Sequence, residues 1–207
     1  IMWINYPNNP TGAIADLGFF ARAVDFCRQH DIVLCSDNAY SEICFDDYKA
    51  PSVFDVAGAR EVAIEFHSMS KTYNMTGWRI GFVAGRSDVI KPFGDMKSNL
   101  DSGPFTAVQV VAAEAMARWQ ELVGPLCEVY KGRRDVLVAG LRKAGFDPFV
   151  PKASFYVWMP VPGGDDKAFA GRLIEELGVI VTPGSGFGSA GAGYVRFSLT
   201  VDKERMR

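Results

Sequence analysis

The stretch IEFHSMSKTYNMTGWRIGF, residues 64–82, places a lysine between two apolar segments. The apolar run 62–66 predicts a mostly buried strand, and residues 80–84 predict another. Lys71 therefore lies just past the end of a strand, where a lone lysine is normally solvated. A guanidinium and two hydroxyls accompany it, on Ser68, Ser70 and Arg79. These neighbours predict a functional site rather than a surface lysine.

Outward from this stretch, apolar runs alternate with helical or long connections. Further strands are predicted at 1–6 and 31–40, with an amphipathic helix between them. That helix is indicated by apolar residues that share one face, namely Leu17, Phe20, Ala21, Val24 and Cys27. Strands connected in this way form a mostly parallel sheet with helices on its faces. The fold class predicted for this part of the chain is therefore α/β.

The pattern of the sequence changes after two predicted helices, at 104–123 and 125–144. Beyond them we predict a smaller α+β domain. The boundary is placed near residue 124, which gives a first domain at 1–124 and a second at 125–207, incomplete at its end. The elements predicted in the second domain are a strand at 154–161, a helix at 166–177 ended by Gly178, and strands at 179–183 and 194–199.

Composition and charge argue against several classes of protein. A net charge of -2 with no basic run argues against a nucleic-acid partner, and no apolar stretch approaches the roughly 18 residues of a membrane span. The cysteines show no CxxC spacing and only two histidines occur, so no metal site is predicted. The four cysteines are predicted to be free thiols in a reducing cytoplasm. The first residues open inside a predicted strand, so we expect the chain to be part of a longer protein.

Polar side chains follow the ends of three predicted strands. Asn9 follows the first strand, and Asp37 with Tyr40 follows the second. Lys71 and its two serines follow the third, and the loop of Arg79 can reach the same edge. Because the carboxyl ends of parallel strands share one edge of a sheet, we expect these groups to converge. An amine favours Schiff-base chemistry, hydroxyls with an arginine suit a phosphate, and an aspartate can hold a ring cation, so pyridoxal 5′-phosphate matches the set.

Three sequence segments connect this prediction to a family: NYPNNPTGA at 5–13, SDNAYSEICFDDYKAPS at 36–52 and HSMSKTYNMTGWRIGF at 67–82. Together they resemble the class I/II, fold-type I aminotransferases, over essentially the whole chain. The resemblance implies a three-layer αβα large domain with a mostly parallel sheet, followed by a smaller α+β domain. It also implies a homodimer whose substrates are an amino acid and a 2-oxo acid.

The resemblance implies a role for each residue of the predicted site. Lys71 would form a Schiff base with the cofactor and shuttle the proton between the substrate α-carbon and the cofactor. Asp37 would hold the pyridinium, while Tyr40 and Asn9 would hydrogen-bond the phenolic oxygen. Asn9 would also contact the substrate, and its bond to Pro10 would be a cis peptide. The phosphate would be bound by Ser68, Ser70 and Arg79.

In the segment GYVRFSLTV, strand alternation puts Arg196 on one face and apolar residues, Val195 among them, on the other. A fork-shaped donor in a strand suits a carboxylate, and the resemblance implies that Arg196 binds the substrate α-carboxylate. The preceding loop, 184–193, contains a GxGxxG pattern. It leads into a strand instead of opening a helix, so we predict a loop near the substrate and not a dinucleotide site.

Within the family, these segments and SNLDSGPFTAVQ at 98–109 most resemble members that act on LL-diaminopimelate and 2-oxoglutarate in lysine biosynthesis. Three alternatives stay open: a broad alanine- or aspartate-type aminotransferase, a C–S lyase on the same fold, and a non-catalytic pyridoxal-binding regulator. The motifs around the cofactor do not separate the enzymes, since all of them use the same electron sink. We expect the isolated chain to bind cofactor poorly and to turn over little, because the resemblance places part of the site before Ile1 and on a second subunit.

Overall fold

A four-stranded sheet lies in the first part of the chain, as described for residues 1–206 by a computed structural model. Its strands are β1 (Met2–Asn5), β2 (Leu34–Asp37), β3 (Ala63–Ser68) and β4 (Gly81–Gly85). They lie in the order β1-β2-β3-β4; the first three are parallel, and β4 is antiparallel to β3. The prediction of a mostly parallel sheet is confirmed.

Helix α1, Leu17–Gln29, packs on one face of this sheet. Asp16 caps its start, since its carboxylate accepts a hydrogen bond from the amide of the third helical residue at 2.7 Å. Phe20 and Val24 are buried against the strands, as their spacing predicts, and each burial stabilises the fold by about 1.5–3 kcal/mol. Leu17, at the helix start, is 47% exposed.

Two helices follow the third and fourth strands: α2 (Met69–Thr72) and α3 (Ser87–Asp101). Helix α3 lies on the sheet face opposite α1, where the ring of Phe93 meets that of Phe66 edge-on, 6.1 Å between centroids. Phe66 alternates along β3 with residues that face α1, so the two helices cover different faces. The three-layer αβα arrangement is confirmed, although the sequence patterns predicted no helix at α3.

Helices α4 (Thr106–Ala117) and α5 (Trp119–Lys143) meet at Arg118, not at residue 124. The prediction of a helix end at Val123 is wrong. Glycine and proline at 124–125 are poor helix formers, but Val123 is buried and Leu126 packs against a buried apolar cluster that includes Phe155 and Val157. Packing therefore outweighs their propensity. The domain boundary near residue 124 stays a prediction, and α5 runs through it without a break.

A second, antiparallel sheet has the order β5-β7-β6. The sheet and its helix are β5 (Tyr156–Pro160), α6 (Asp166–Leu177), β6 (Thr182–Pro183) and β7 (Tyr194–Ser198). Its core face packs on α5 and α6, and also on Tyr40, Ile43 and Phe45, which follow β2. The loop after β2 therefore joins the two sheets through one apolar cluster.

The strand predicted at 179–183 is shorter than expected, since only its last two residues pair with β7. The end of α6 is as predicted: Gly178 has a φ of +67°, in the left-handed region that glycine adopts without steric cost. The remaining regular elements are 3₁₀ turns at Val53–Asp55, Ala59–Glu61, Thr76–Trp78, Pro162–Gly164, Gly184–Phe187, Ser189–Gly191 and Lys203–Met206.

Candidate active site

The carboxyl ends of β1, β2 and β3 lie side by side, as expected of parallel strands. Asn5 pairs with Asp37, and Asp37 pairs with Phe66, two residues before Ser68. The side-chain amide of Asn5 also donates to the Asp37 carbonyl oxygen at 2.9 Å. The half-buried Asp37 carboxylate accepts a hydrogen bond from the Ala39 amide at 3.2 Å. The edge is therefore held by backbone register and by one amide side chain.

The loop after β1 is folded tightly so that it presents Asn9. The peptide bond between Asn9 and Pro10 is cis, which confirms the prediction, and the bond between Tyr6 and Pro7 is cis as well. The Asn9 amide donates to Asn5 Oδ1 at 3.0 Å. Gly12 has a φ of +68°, and an added Cβ there would lie 3.0 Å from Cβ of Pro151, so a larger residue at this position would be strained.

Tyr40 and Asn9 lie at the centre of a hydrogen-bonded chain that reaches the second sheet. Asn9 Nδ2 is 3.5 Å from Tyr40 Oη, and Tyr40 Oη is 3.4 Å from Tyr156 Oη. Arg196 Nη1 donates to Asn9 Oδ1 at 2.7 Å. Burial, and next the hydrogen bond with Tyr156, raise the pKa of Tyr40 well above its ordinary value. Tyr40 therefore stays a protonated phenol at neutral pH and can donate a hydrogen bond.

The Arg196 guanidinium lies between two aromatic rings. It is 4.1 Å from the ring centre of Tyr156 and 4.8 Å from that of Phe187. Its Nη2 donates to Thr182 Oγ1 at 3.3 Å, and its Nε is buried without a hydrogen-bond partner among residues 1–206. A buried N–H without a partner is costly, so an oxygen acceptor at this position would be favourable.

Lys71 lies in α2, directly after β3, and is half-buried. The loop that follows is tied back to this helix: the Thr76 hydroxyl donates to the Ser70 carbonyl at 3.2 Å, and Arg79 Nη1 donates to the Thr76 carbonyl at 3.0 Å. Arg79 itself has a φ of +53°, an uncommon value for a side chain of this size. The loop therefore keeps Arg79 beside the strand end.

The two serines predicted to bind phosphate do not share a cavity. Ser70 is buried and lines a cavity of about 450 Å³ together with Thr76 and Arg133. Ser68 lines a smaller cavity of about 180 Å³ that also includes Trp119. Ser68, Ser70 and Arg79 all lie near the end of β3, but the two serines face different cavities. Their joint binding of a phosphate stays a prediction.

Three contacts of Arg196 were not predicted from the sequence: those with Tyr156, Thr182 and Phe187. Tyr156 could have been found by alternation, because Trp158 is the cross-strand partner of Arg196 and Tyr156 lies on the same face of β5. Phe187 belongs to the glycine-rich loop, and no spacing rule indicates that its ring covers a guanidinium.

The cysteines and the side chains that could bind a metal bear on whether residues 1–206 hold a thiol site or a metal site. All four cysteines are free, and burial raises the pKa of Cys44 to about 12, which keeps that thiol protonated. No group of three or more histidine, cysteine or acidic side chains within residues 1–206 is arranged to hold a metal ion. No helix in the same range is long and apolar enough to cross a membrane.

Two curated relatives illustrate what the sequence is similar to. The LL-diaminopimelate aminotransferase of Desulforudis audaxviator is 54% identical over 207 residues, which are 100% of this chain and 53% of that protein. The LL-diaminopimelate aminotransferase of Syntrophobacter fumaroxidans is 50% identical over 208 residues, with 100% of this chain and 54% of that protein covered. The chain thus spans about half the length of the curated relatives it matches.

The fold is also similar to that of solved structures. Apo-BacF from Bacillus subtilis superposes with a TM-score of 0.95 at 37% identity, over 100% of this chain and 53% of that one. A probable N-succinyldiaminopimelate aminotransferase from Thermus thermophilus gives a TM-score of 0.92 at 36% identity, over 99% of this chain and 55% of that one. The predicted fold-type I architecture is confirmed by these neighbours. Over residues 1–207 the sequence matches the family described as aminotransferase class I and II, and the chain belongs to that family.

Proposed function

We propose that the whole protein is a pyridoxal 5′-phosphate-dependent aminotransferase that moves an amino group between LL-diaminopimelate and 2-oxoglutarate, in lysine biosynthesis. Membership of the family supports the reaction class. Relatives named LL-diaminopimelate aminotransferase, at 50–54% identity, support the donor. The N-succinyldiaminopimelate and aspartate aminotransferases among the solved structures are 36% and 30% identical, which gives less support to those donors.

The observation that carries the proposal is the position of Arg196. Its guanidinium is hydrogen-bonded to Asn9, and the same Asn9 amide reaches Tyr40. A planar donor with a buried, unpartnered Nε thus lies next to a protonated phenol at the edge of a parallel sheet. A carboxylate bound by Arg196 would have its α-carbon close to whatever Tyr40 and Asn9 hold. This arrangement suits an α-amino acid bound beside a cofactor.

The residues of this edge fit pyridoxal phosphate by their donor chemistry. Tyr40 is a protonated donor, and Asn9 brings an amide N–H beside it, so the two suit an ionised phenolic oxygen. Asp37, half-buried at the end of β2, supplies a carboxylate for the pyridine nitrogen. Ser68, Ser70 and Arg79 supply hydroxyls and a guanidinium for the phosphate. Each ionic or polar group of the cofactor has a matching residue type at this edge.

The cofactor, when bound, would supply the carbonyl group that takes up the amine and the ring that accepts the electron pair of the substrate α-carbon. The residues of the chain would govern the protons. The Lys71 amine would take the proton from the substrate α-carbon, Asp37 would keep a proton on the ring nitrogen, and Tyr40 would donate its hydroxyl proton in a hydrogen bond. Arg196 would orient the substrate by its α-carboxylate, so that the α-hydrogen faces Lys71.

We further propose that the protein is a cytoplasmic homodimer. The free cysteines are in keeping with a reducing compartment, and the resemblance to the family supports the dimer. Sedimentation of the purified protein checks the dimer directly, and a monomer that retains full activity would contradict it.

The test of function is a half-reaction on the whole protein loaded with cofactor. LL-Diaminopimelate, glutamate, alanine and aspartate are added separately, and conversion of the cofactor from its aldehyde to its amine form is followed by absorbance. Fast conversion with LL-diaminopimelate and glutamate alone is the expected result. Conversion by alanine or aspartate as well would indicate the broad enzyme instead. A fifth sample receives a β-thioether amino acid such as cystathionine, and release of a thiol, ammonia and pyruvate from it would indicate a C–S lyase. No conversion by any donor would favour the non-catalytic regulator.

A further inference from the structure

Glu65 is a buried carboxylate in the middle of β3, and the chemistry described above does not use it. Its side chain is only 3% exposed. Oε1 accepts hydrogen bonds from Val53 N at 2.8 Å, Ser52 Oγ at 2.9 Å and Asn38 Nδ2 at 3.3 Å. Oε2 lies 3.1 Å from His67 Nε2. Four groups from three separate segments of the chain therefore meet at one carboxyl group.

A packing role alone does not account for an acid at this position. Taking a carboxylate out of water is costly, and the neutral donors around Oε1 offset that cost only in part. Ala63, two residues earlier on the same face of β3, is fully buried and carries no such cost. An apolar side chain at residue 65 would fill the space between β2 and the turn at 52–53 in the same way. The carboxylate adds connections between segments, and not apolar burial.

These connections end next to residues of the candidate active site. Asn38 directly follows Asp37, and His67 directly precedes Ser68. Because side chains alternate along a strand, Glu65 and His67 lie on the face of the sheet opposite Asp37 and Ser68. The carboxylate therefore joins the ends of β2 and β3 from behind, while the site residues project from the front.

The same network extends to the strand that follows Arg79. His67 stacks on Phe82, with 4.6 Å between ring centres and 11° between planes. Phe82 is the cross-strand partner of His67, and Gly81 is that of Ser68. The imidazole is thus held between the Glu65 carboxylate and a ring of β4. One buried acid links the three strand ends from which the cofactor-binding residues project.

We propose that Glu65 is a positioning residue for the cofactor site. By holding Asn38 and His67 it fixes the distance between Asp37, which would bind the ring nitrogen, and the segment Ser68–Lys71, which would bind the phosphate and the aldehyde. The inference rests on the proposed function, since the group being positioned is a pyridoxal phosphate. It depends on hydrogen bonding by the carboxyl group and not on the bulk of the side chain.

The experiment titrates the whole apoprotein with pyridoxal 5′-phosphate and measures the dissociation constant, together with the circular dichroism that the bound cofactor acquires. Glu65→Leu should raise the dissociation constant at least about tenfold and weaken the cofactor band, because the ends of β2 and β3 lose this side-chain link and keep only their backbone pairing. Glu65→Gln should restore the dissociation constant to within about threefold of the natural protein. Its carbonyl oxygen still accepts from the same three donors, and its amide still lies beside the His67 ring nitrogen.

Two further variants separate positioning from stability. Val53→Ala removes buried apolar volume from the same turn and lowers the unfolding midpoint, but it leaves the carboxylate network intact, so the dissociation constant should stay within about threefold. Asn38→Ala removes only the link to the Asp37 strand and should weaken cofactor binding even if Glu65→Leu fails to fold.

Several outcomes would overturn the inference. One is a Glu65→Leu protein that binds cofactor as tightly as the natural protein and with the same band. Another is a Val53→Ala protein that weakens binding as much as Glu65→Leu at an equal loss of stability. A third is unchanged binding in Asn38→Ala. Failure of the natural protein to bind pyridoxal 5′-phosphate would instead overturn the proposed function, and this inference with it.

Discussion

The core face of the second sheet and the β4 side of the first sheet differ in how completely their apolar side chains are covered. Around β5–β7, Met159 and Val195 are fully buried beneath α5 and α6. Next to β4 the situation is reversed: no residue of α3 is buried, and Leu100 and Phe105 are 70% and 76% exposed. We call the side chains of Met96, Leu100, Phe105 and Val110 the α3–α4 surface; each is more than 60% exposed.

This difference predicts that another surface covers the α3–α4 surface in the whole protein. Large contiguous apolar patches are rare on soluble monomers and mark places where another surface packs. The second sheet contributes Arg196, the residue proposed to bind the substrate carboxylate. The first sheet contributes the residues assigned to chemistry, Lys71 and Asp37 among them. We therefore expect substitutions in the two regions to affect different measurable quantities.

The largest effect is expected for Lys71, in the helix that follows β3 of the first sheet. Lys71→Ala in the whole protein should lower turnover by about 10⁴-fold or more, because it removes the amine that is proposed to bond the cofactor and move the α-proton. Borohydride reduction should then no longer attach the cofactor to the chain. Lys91→Ala is the matched control, since the Lys91 side chain is 84% exposed. Attachment that persists at this segment in Lys71→Ala would contradict the assignment.

Arg196, on the second sheet, should instead control binding. Arg196→Ala should weaken binding of the amino donor by roughly 2–5 kcal/mol, because an α-carboxylate in the site loses its charged partner. The change should be seen mainly in KM for the donor, with Arg172→Ala, whose side chain is 72% exposed, as the control. An unchanged KM would mean that Arg196 does not hold the carboxylate.

Two methionines test the comparison of burial itself. Met159→Ala should lower the free energy of unfolding of the 207-residue chain by about 2–5 kcal/mol, because Met159 is fully buried and its removal leaves a cavity. Met96→Ala, at 62% exposure on α3, should change the same quantity by no more than about 0.5 kcal/mol. Chemical denaturation of both variants gives the two values. Equal losses would mean that the two regions are covered alike.

The contact between the two regions depends in part on a buried arginine of α5. Arg134 is 3% exposed and forms a two-pronged pair with Asp46, in the segment after β2; its Nη2 lies 3.1 Å from Asp46 Oδ1. It also contacts Asp135 and the carbonyl oxygen of Pro151. Asp46→Asn removes one of these charges and should lower the free energy of unfolding by about 1–3 kcal/mol at neutral pH. Asparagine tolerates the φ of +55° found at this position.

The pH dependence of this pair has a definite sign. Hydrogen bonding by Arg134 lowers the pKa of Asp46 below its ordinary value. The stability that Asp46 contributes is therefore present above the unfolded pKa of about 4 and is lost as pH falls through the lower folded pKa. Between neutral pH and about pH 3, the free energy of unfolding should fall less steeply in Asp46→Asn than in the natural chain. Identical pH profiles would mean that this pair adds nothing.

The sequence predicts the position of the site residues in the fold better than it predicts the helices around them. Asn9, Asp37 and Lys71 follow strand ends, and parallel pairing brings such ends together whatever the details of packing. The cis bond before Pro10 was likewise expected from a motif. These are local or topological rules, and they hold without knowledge of the core.

The errors arise where tertiary contacts outweigh local preference. Residues 124–125 predicted a helix end, yet apolar burial of Val123 on one side and packing of Leu126 on the other keep α5 continuous. Helix α3 contains Pro92, a residue that disfavours helix. Phe187 lies over Arg196 only because two 3₁₀ turns place its loop there, and no spacing along the chain encodes that approach.

The smallest effect is expected on the α3–α4 surface, and it is the one that distinguishes the two regions most directly. Leu100→Ala in the 207-residue chain should change the free energy of unfolding by no more than about 0.5 kcal/mol, because the Leu100 side chain is 70% exposed and buries little apolar area. In the whole protein the same substitution should cost about 2–5 kcal/mol if this surface is covered there, since a buried leucine would then be lost. Denaturation of both proteins gives the difference between the two costs. A difference near zero would mean that the α3–α4 surface stays exposed in the whole protein.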